Sequence, residues 1–129
     1  MPMTRITVQE GRSAAELHQV QDILHQTLVD DFDVPAADRF QIVDIKPAEQ
    51  LHYDPHYMTG ERSSRFTLFE ITAGKPRRLE QKQALYHTLT QRLVATLGMR
   101  PDDVMIVIRF TATEDWCFGL GKGLTGDPQ

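Results

Sequence analysis

The second residue of the chain, Pro2, is the first candidate for chemistry. Initiator methionine is normally removed when a small residue such as proline follows it, and removal of Met1 would leave a secondary amine at the terminus. Residues 4–8 are β-branched apart from Arg5 and alternate in polarity, which predicts a strand. A terminus held by a strand can present an amine as a base or nucleophile near neutral pH. If Met1 is retained, the Pro2 nitrogen is an amide and the proline is incidental.

A cluster of cations is the second candidate. Lys75, Arg77 and Arg78 surround Pro76, a residue suited to the first position of a helix. The cations would then crowd a first turn, where the helix dipole disfavours positive charge. Such a local conflict can mark a receptor for a carboxylate or phosphate. The alternative is a solvated basic turn, because an exposed misplacement costs less than about 1 kcal/mol.

Asp38 and three apolar residues near the end of the chain complete the candidates. Asp38 lies in a turn before a predicted strand at residues 40–45, where a carboxylate can activate water or position a substrate oxygen. Aspartate also serves turns through local hydrogen bonds. Three interpretations remain open for the apolar residues: they form a wall over a site, part of the core, or an oligomer contact. These residues are Trp116, Phe118 and Leu124.

The histidines and the cysteine carry weaker signals. His52 and His56 are separated by Pro55, which argues against a helix that would align them, so we expect no metal site. Cys117 has no obvious base nearby and is expected to be buried rather than nucleophilic. The glycine-rich run at 119–123 precedes no helical pattern and does not predict a phosphate loop.

The elements that must position these residues follow a repeat. Residues 4–8 resemble residues 64–68, and each run precedes a helical pattern, a proline–aspartate turn and a second strand. The first helix begins with a capping box of Ser13 and Glu16, and Gly98 is a plausible C-cap for the second. Residues 104–108 form a nearly continuous apolar run, typical of a strand buried on both faces. Leucine and valine at helical spacing predict the core stripes: Leu17, Val20, Leu24 and Leu28, then Leu85, Leu89, Leu93 and Leu97.

Two such β-α-β units predict an α+β fold with a four-stranded mixed sheet and two helices on one face. Strands should pair parallel within a unit and antiparallel between units, and oligomerisation would cover the other face. We expect residues 1–129 to form one domain. Its predicted parts are repeat one at about 2–46, a linker at 47–61, repeat two at about 62–112, and a C-terminal hairpin and tail at 113–129.

Composition excludes several classes of protein. The 129 residues carry 40% hydrophobic and 25% charged side chains, as in an ordinary globular domain. The net charge of -4 gives no basic footprint for nucleic acid. No apolar run approaches the roughly 18 residues of a membrane span. One cysteine and no signal-peptide pattern lead us to expect a cytoplasmic protein.

Together the motifs resemble the tautomerase superfamily, and more closely its malonate semialdehyde decarboxylase-like branch. The matching segments cover nearly the whole chain in order: EGR at 10–12, VPAADRFQ at 34–41, GERSS at 60–64, PR at 76–77 with EQK at 80–82, PDDV at 101–104, DWCFG at 115–119 and LTGD at 124–127.

The resemblance implies roles for individual residues. Pro2 is similar to the family's catalytic proline, Asp38 to its essential aspartate and Arg77 to the second of its two arginines. The first arginine falls on Lys75, which keeps the charge but lacks the planar fork. Arg78 lies beside this pattern and is a further candidate for substrate binding. Trp116, Phe118 and Leu124 resemble the family's hydrophobic wall.

The resemblance also implies a homotrimer and a cofactor-independent enzyme acting on a small anionic oxo-acid. Its reaction would be malonate semialdehyde decarboxylation, keto–enol tautomerisation or both, through Pro2. One alternative is a hydratase or dehalogenase of 3-substituted acrylates, which would share the proline. The other is a non-catalytic α+β ligand-binding module. Neither nucleic acid nor a membrane is an expected partner.

Overall fold

A computed structural model describes residues 2–124 and contains a sheet that carries two helices. The four longer strands and the two helices follow one another as two β-α-β units, as predicted, and a small hairpin follows them. The elements are β1 (Pro2–Gln9), α1 (Ala14–Asp31), β2 (Gln41–Lys46), β3 (Thr67–Ala73), α2 (Leu79–Leu97), β4 (Val104–Phe110), β5 (Cys117–Gly119) and β6 (Lys122–Gly123).

The four longer strands form one mixed sheet in the order β2-β1-β3-β4. β1 runs parallel to β2, β3 runs parallel to β4, and β1 runs antiparallel to β3. This confirms the predicted α+β fold and the predicted direction of each pairing. β1 is therefore an interior strand with a neighbour on both sides.

The core lies between the helices and one face of the sheet. Ile6 and Val8 of β1 and Phe69 and Ile71 of β3 have no exposed surface and pack in one cluster with the helices. The predicted helical stripes supply the facing layer, and all of their residues but Leu97, which is half-buried, are buried: Leu17, Val20, Leu24, Leu28, Leu85, Leu89 and Leu93. The helical period in the sequence thus identified the buried faces correctly.

Only half of the predicted capping box forms at α1. Ser13 Oγ accepts a hydrogen bond from the Glu16 backbone N–H at 3.1 Å. The Glu16 carboxylate pairs instead with Arg12 and Arg65. Gly98 ends α2 in the left-handed conformation at φ 63°, which confirms the predicted C-cap.

The predicted start of α2 was wrong. The helix begins at Leu79, so Lys75, Arg77 and Arg78 precede it, and its first turn holds the acidic Glu80. Arg78 is extended and serves as the N-cap residue, while the Arg77 side chain bonds to the end of α1. The predicted conflict with the helix dipole is therefore absent from α2.

The internal repeat has a different offset from the predicted one. β1 and α1 begin at residues 2 and 14, whereas β3 and α2 begin at 67 and 79, so the copies are offset by 65 residues. The predicted match of residues 64–68 to 4–8 was wrong, because β3 begins only at Thr67. At the correct offset the pairs Pro2–Ala73 and Val8–Thr67 are equivalent ends of one antiparallel ladder.

The sheet face opposite the helices is open in the single chain. β4 is half-buried or exposed along its length, with Met105 42% exposed, so the prediction of burial on both faces was wrong for the single chain. Charged pairs share this open face: Arg5 with Asp44 at 3.1 Å and Arg109 with Glu70 at 3.9 Å. Within residues 2–124, no helix is long and apolar enough to cross a membrane.

Two aspartates fasten the segment between the repeats to the start of β4. The fully buried Asp103 carboxylate accepts hydrogen bonds from the backbone N–H and the hydroxyl of Ser63, both at 2.6 Å. Asp102 accepts from the Gly60 backbone N–H at 2.9 Å and from the Thr59 hydroxyl. The segment is therefore held by buried or charge-assisted hydrogen bonds, which are the stronger kind.

The predicted C-terminal hairpin is present as β5 and β6. Cys117 lies on β5, where all three residues are exposed, so the prediction that it is buried was wrong. A two-stranded ribbon without a sheet behind it has no second layer in which to bury a side chain. Residues 125–129, including the LTGD segment beyond Leu124, lie outside the described residues.

Candidate active site

Strand pairing fixes the position of Pro2. The residue is buried at the start of β1 and is paired in the antiparallel ladder with Ala73, the last residue of β3. Lys75 follows Ala73 by two residues, so the loop with the cations leaves the sheet next to the start of the chain. The register that buries Ile6 against Phe69 therefore also determines what lies beside Pro2.

A cavity of about 250 Å³ collects residues from both repeats. Asp38 comes from the turn before β2, and Lys75 and Arg77 come from the loop before α2, so the fold unites three predicted site residues. Asp33 and Pro35 complete the lining, which includes neither Pro2 nor Arg78. The cavity contains two cations and two carboxylates.

Arg77 connects the two helices as well as lining the cavity. Its Nε and Nη2 donate to the Phe32 carbonyl at the end of α1, at 3.1 and 2.7 Å, and its Nη1 donates to the Lys75 carbonyl at 2.5 Å. The guanidinium carbon lies 5.2 Å from the centre of the Phe32 ring. Three of five N–H groups are thus engaged, which leaves two for an anion. Burial lowers the pKa of Arg77, and the charge of Asp33 partly opposes that shift.

Lys75 and Arg78 are both exposed. Lys75 presents a compact ammonium at the cavity, and its carbonyl is held by Arg77. The Arg78 backbone N–H donates to Gln81 Oε1 at 3.1 Å, which caps α2. Of the predicted cations, only Lys75 and Arg77 therefore meet at the cavity.

Asp38 is half-buried at the end of a tight turn. Its backbone N–H donates to the Pro35 carbonyl at 2.9 Å, which closes the turn and directs the chain into β2. The turn thus brings Pro35 and Asp38 to the same cavity. A carboxylate near two cations can orient water or a polar group of a bound anion.

The predicted apolar wall lies in a neighbouring cavity of about 410 Å³. Phe118 packs between Phe40 and Trp116, with ring centres 5.4 and 5.6 Å away, and Met3 lines the same space. Leu124 does not line this cavity, and its backbone N–H donates to the Trp116 carbonyl at 3.2 Å. The single chain therefore does not bring the wall and the cations into one cavity.

Hydrogen bonds nevertheless tie the wall to the neighbourhood of Pro2. Trp116 Nε1 donates to the Thr111 hydroxyl at 2.6 Å, and that hydroxyl donates to the carbonyl of Ala73, the strand partner of Pro2, at 3.2 Å. On the other side, the backbone N–H and the hydroxyl of Thr4 donate to the Phe40 carbonyl. Trp116 is thus linked through Thr111 to Ala73, and Phe40 is linked to Thr4, which lies two residues after Pro2.

Sequence reasoning missed Asp33 and Phe40 as members of the site. Asp33 has a backbone φ of 54°, an uncommon value for a residue other than glycine, and it separates the end of α1 from the turn. A helix end followed closely by a proline was the available signal for this position. Phe40 was assigned to a strand, but the strand begins one residue later.

Within the described part of the chain, no group of three or more histidine, cysteine, aspartate or glutamate side chains is arranged to hold a metal ion. The cavity itself presents two cations and two carboxylates, from Lys75, Arg77, Asp33 and Asp38.

Comparison with known proteins identifies the family. Residues 38–119 match the model of a family described as tautomerase enzyme. Probable tautomerase YusQ of Bacillus subtilis (strain 168) is 34% identical over 122 residues, which are 95% of this chain and 96% of that protein.

Solved structures show the same relationship. A malonate semialdehyde decarboxylase, studied for decarboxylase and hydratase activities, superposes with a TM-score of 0.87 at 32% identity, covering 93% of this chain and 92% of that one. A fused 4-OT described as a symmetric trimer shares the fold, with a TM-score of 0.75 at 24% identity over 95% and 94% of the two chains.

A family match over more than half of the chain, a relative aligned over nearly all of it and a close superposition agree with one another. The chain belongs to the tautomerase superfamily, in its malonate semialdehyde decarboxylase-like branch, and is a tautomerase-like enzyme.

Proposed function

We propose that this enzyme acts on small oxo-acids without a cofactor, through the secondary amine of Pro2 that is exposed when Met1 is removed. The observation that supports this most strongly is the pairing of Pro2 with Ala73, next to a cavity lined by Asp38, Lys75 and Arg77. A positioned amine, an anion receptor and a carboxylate are the groups that proton transfer on an oxo-acid requires.

Arg77 and Lys75 bind the carboxylate of the substrate. The two N–H groups of Arg77 that the protein leaves uncommitted supply charge-assisted hydrogen bonds, and Lys75 adds a compact charge. Arg78 and the aromatic residues Trp116 and Phe118, with Leu124, make secondary contacts at the rim. Since Arg77 is also bonded to the Phe32 carbonyl, its guanidinium is held before substrate arrives.

The Pro2 amine carries the proton transfer. In its neutral form the amine can remove a proton from the carbon beside the oxo group. Delivery of that proton to the oxygen of the resulting enolate completes a keto–enol tautomerisation. Asp38 orients the reacting oxygen or a water molecule.

A 3-oxo-acid offers a second outcome at the same site. Attack of the neutral amine on the oxo carbon, with loss of water, gives an iminium that accepts the electron pair of the breaking carbon–carbon bond as carbon dioxide leaves. The resulting enamine takes up a proton and is hydrolysed to the free amine and the shortened carbonyl compound. Alternatively, a protonated Pro2 polarises the oxo group and carbon dioxide leaves without a covalent intermediate.

Hydration of 3-substituted acrylates is the second candidate. The half-buried Asp38 beside two cations favours it, because a carboxylate there can activate water. The structural relative described as both a decarboxylase and a hydratase supports the same alternative.

We further propose that the chain acts as one domain in a homotrimer, with the open face of the sheet covered by other copies. Met105 and the neighbouring charged pairs supply both apolar and polar contacts for such an interface. Light scattering at micromolar concentration is expected to give three times the mass of the chain, and a monomer would contradict the proposal.

A substrate panel tests the proposed activity. Protein whose Pro2 terminus is verified by mass spectrometry is incubated with malonate semialdehyde, phenylpyruvate, 2-hydroxymuconate and 3-haloacrylates, and products are followed by proton NMR. We expect turnover of at least one oxo-acid. A variant with one residue added before Pro2 should lose it, since the amine becomes an amide. Full turnover by the extended variant would rule out the role of Pro2.

Borohydride trapping distinguishes the two decarboxylation routes. Reduction in the presence of a turned-over 3-oxo-acid should attach the substrate carbons to Pro2 if an iminium forms, and peptide mapping locates the adduct. Decarboxylation without an adduct would assign the polarisation route.

A further inference from the structure

The cavity contains one charged residue that the proposed reaction does not use, Asp33. It lies at the end of α1, next to the Phe32 carbonyl that holds Arg77, and it lines the same cavity as Lys75, Arg77 and Asp38. Two positive and two negative side chains therefore line one cavity before any substrate enters.

The backbone at Asp33 has an unusual conformation. Its φ of 54° lies in the left-handed region. This conformation is energetically unfavourable for any residue that has a β-carbon, and among those residues asparagine and aspartate tolerate it best. Glycine would fit this backbone with less strain. An aspartate is therefore not required by the shape of the turn, which directs attention to its carboxylate.

The Asp33 carboxylate is not part of the hydrogen-bonding network of residues 2–124. Among residues 2–124, no hydrogen bond or ion pair engages it, whereas its charge acts on the Arg77 guanidinium. The carboxylate is exposed, so it can meet a ligand that enters the cavity.

We infer that Asp33 makes the site selective for monoanionic oxo-acids over dianionic ones. One substrate carboxylate is met by Arg77 and Lys75, and a second carboxylate in the same small cavity is repelled by Asp33. A neutral aldehyde, ketone or hydroxyl in that position is not repelled, and a hydroxyl can donate a hydrogen bond to the carboxylate. This inference rests on the proposed function and narrows its substrates to monocarboxylates.

Solvent screening limits the size of the effect. Two unit charges a few ångströms apart at an exposed site interact weakly, which corresponds to roughly three- to tenfold in affinity. Selectivity of this kind depends on repulsion of the wrong ligand as much as on attraction of the right one.

Binding of two unreactive probes tests the inference without relying on turnover. 3-Hydroxypropanoate is a monoanion, and malonate is a dianion of the same chain length at a pH where both of its carboxyls are ionised. Dissociation constants are measured by NMR titration for the wild type, Asp33→Asn, Asp33→Glu and Glu49→Gln. Asparagine tolerates the left-handed backbone, glutamate restores the charge, and Glu49 is an exposed carboxylate whose loss changes only the net charge.

The ratio of the malonate constant to the 3-hydroxypropanoate constant should fall three- to tenfold in Asp33→Asn alone. A change below twofold, an equal change in Glu49→Gln, or no binding of either probe would overturn the inference. If Asp33→Asn does not fold, the wild type still decides, because tenfold tighter binding of malonate than of 3-hydroxypropanoate excludes selectivity for monoanions. Turnover of oxo-acids by the wild type is measured separately, so an unchanged ratio leaves the proposed reaction standing.

Discussion

The two repeats carry an arginine at equivalent positions and surround it differently. Arg12 and Arg77 are 65 residues apart, and each immediately precedes the N-cap residue of its helix. The Arg12 side chain is 5% exposed and donates to Glu16 at 2.8 Å and to the Thr67 hydroxyl at 2.5 Å. Arg77 has no carboxylate within hydrogen-bonding distance among the described residues, and it keeps two N–H groups available. The arginine at this position is therefore paired with a carboxylate in the first repeat, whereas in the second repeat it keeps N–H groups that an anion can accept from.

The first residues of β1 and β3 also have different surroundings. Pro2 and Thr67 occupy equivalent ends of the β1–β3 ladder. The Thr67 nitrogen belongs to a peptide bond within the chain, and its hydroxyl accepts the hydrogen bond from Arg12. The counterpart of the candidate site, formed by Arg12 and the start of β3, is therefore part of the packing.

The turn before the second strand of each repeat also carries an aspartate. Asp38 lines the cavity with Lys75 and Arg77, whereas Asp103 is fully buried and holds Ser63. The comparison indicates that residue type alone does not distinguish a candidate catalytic group from a structural one, and that the identity of its neighbours does.

Replacement of each turn aspartate by asparagine should give the largest difference between the candidate site and its structural counterpart. We expect Asp38→Asn to lower kcat by about 10²–10⁴-fold with little change in stability, as for loss of an acid–base group. Asp103→Asn should leave kcat per folded molecule unchanged and lower the free energy of unfolding by about 1–3 kcal/mol, because Ser63 loses a buried charged acceptor. Steady-state kinetics and urea denaturation of both variants separate the two effects, and equal losses of activity would remove the distinction.

Removal of each arginine is the next test of the comparison. Arg12→Ala should lower the free energy of unfolding by about 3 kcal/mol, because it breaks a largely buried ion pair with Glu16. Arg77→Ala should lower kcat/KM for an oxo-acid by roughly 10- to 150-fold, mainly through KM, which corresponds to the loss of about 1.5–3 kcal/mol from a charge-assisted contact. Unchanged kinetics of folded Arg77→Ala would show that this loop is only solvated surface.

The stability that Glu16 contributes through its pairing with Arg12 and Arg65 should also depend on pH. Burial acts to raise the pKa of Glu16, but hydrogen bonds and charges of Arg12 and Arg65 outweigh it and hold that pKa below its ordinary value. A depressed carboxyl pKa contributes stability above the unfolded value of about 4.3, and this stability is lost as pH falls through the folded value.

Glu16→Gln should therefore lower stability at neutral pH by about 1 kcal/mol and weaken the loss of stability below about pH 4. Denaturation midpoints from pH 7 to pH 3 measure both effects. Asp22→Asn is the matched control, because Asp22 is 69% exposed in its pair with Arg39 and should change little. Parallel curves for wild type and Glu16→Gln would contradict the prediction.

The smallest expected effect concerns Lys75, which lines the cavity with Arg77. Lys75→Arg adds a planar fork that can bind a carboxylate through two hydrogen bonds, so decarboxylation of malonate semialdehyde should rise by roughly threefold to tenfold. The same kinetic assay on Lys46→Arg, at the end of the sheet far from Pro2 and outside the cavity, should show no change. No gain from Lys75→Arg would count against the match of Lys75 to the first family arginine.

Much of the fold was predictable because local patterns and burial agree. The helical stripes and the alternation in β1 each identify one buried face, Gly98 marks the end of α2, and each of these predictions was confirmed. The start of α2 was not predictable, since Pro76 satisfies the local rule while Arg77 is drawn to the Phe32 carbonyl, which is 45 residues away in sequence. Asp33 also escaped notice, because its neighbours are known only once α1 and the loop before α2 meet.

The equivalence of Pro2 and Thr67 has a consequence for counting. With Met1 removed as proposed, the two structural copies share a single terminal proline amine, so a reagent specific for a terminal secondary amine should label one site per chain rather than two. The peptide bond between Phe66 and Thr67 removes the basicity of the second nitrogen permanently, whatever surrounds it. Covalent joining of the repeats therefore leaves the chain with one amino terminus, and the residues around Thr67 are available to hold the helices together.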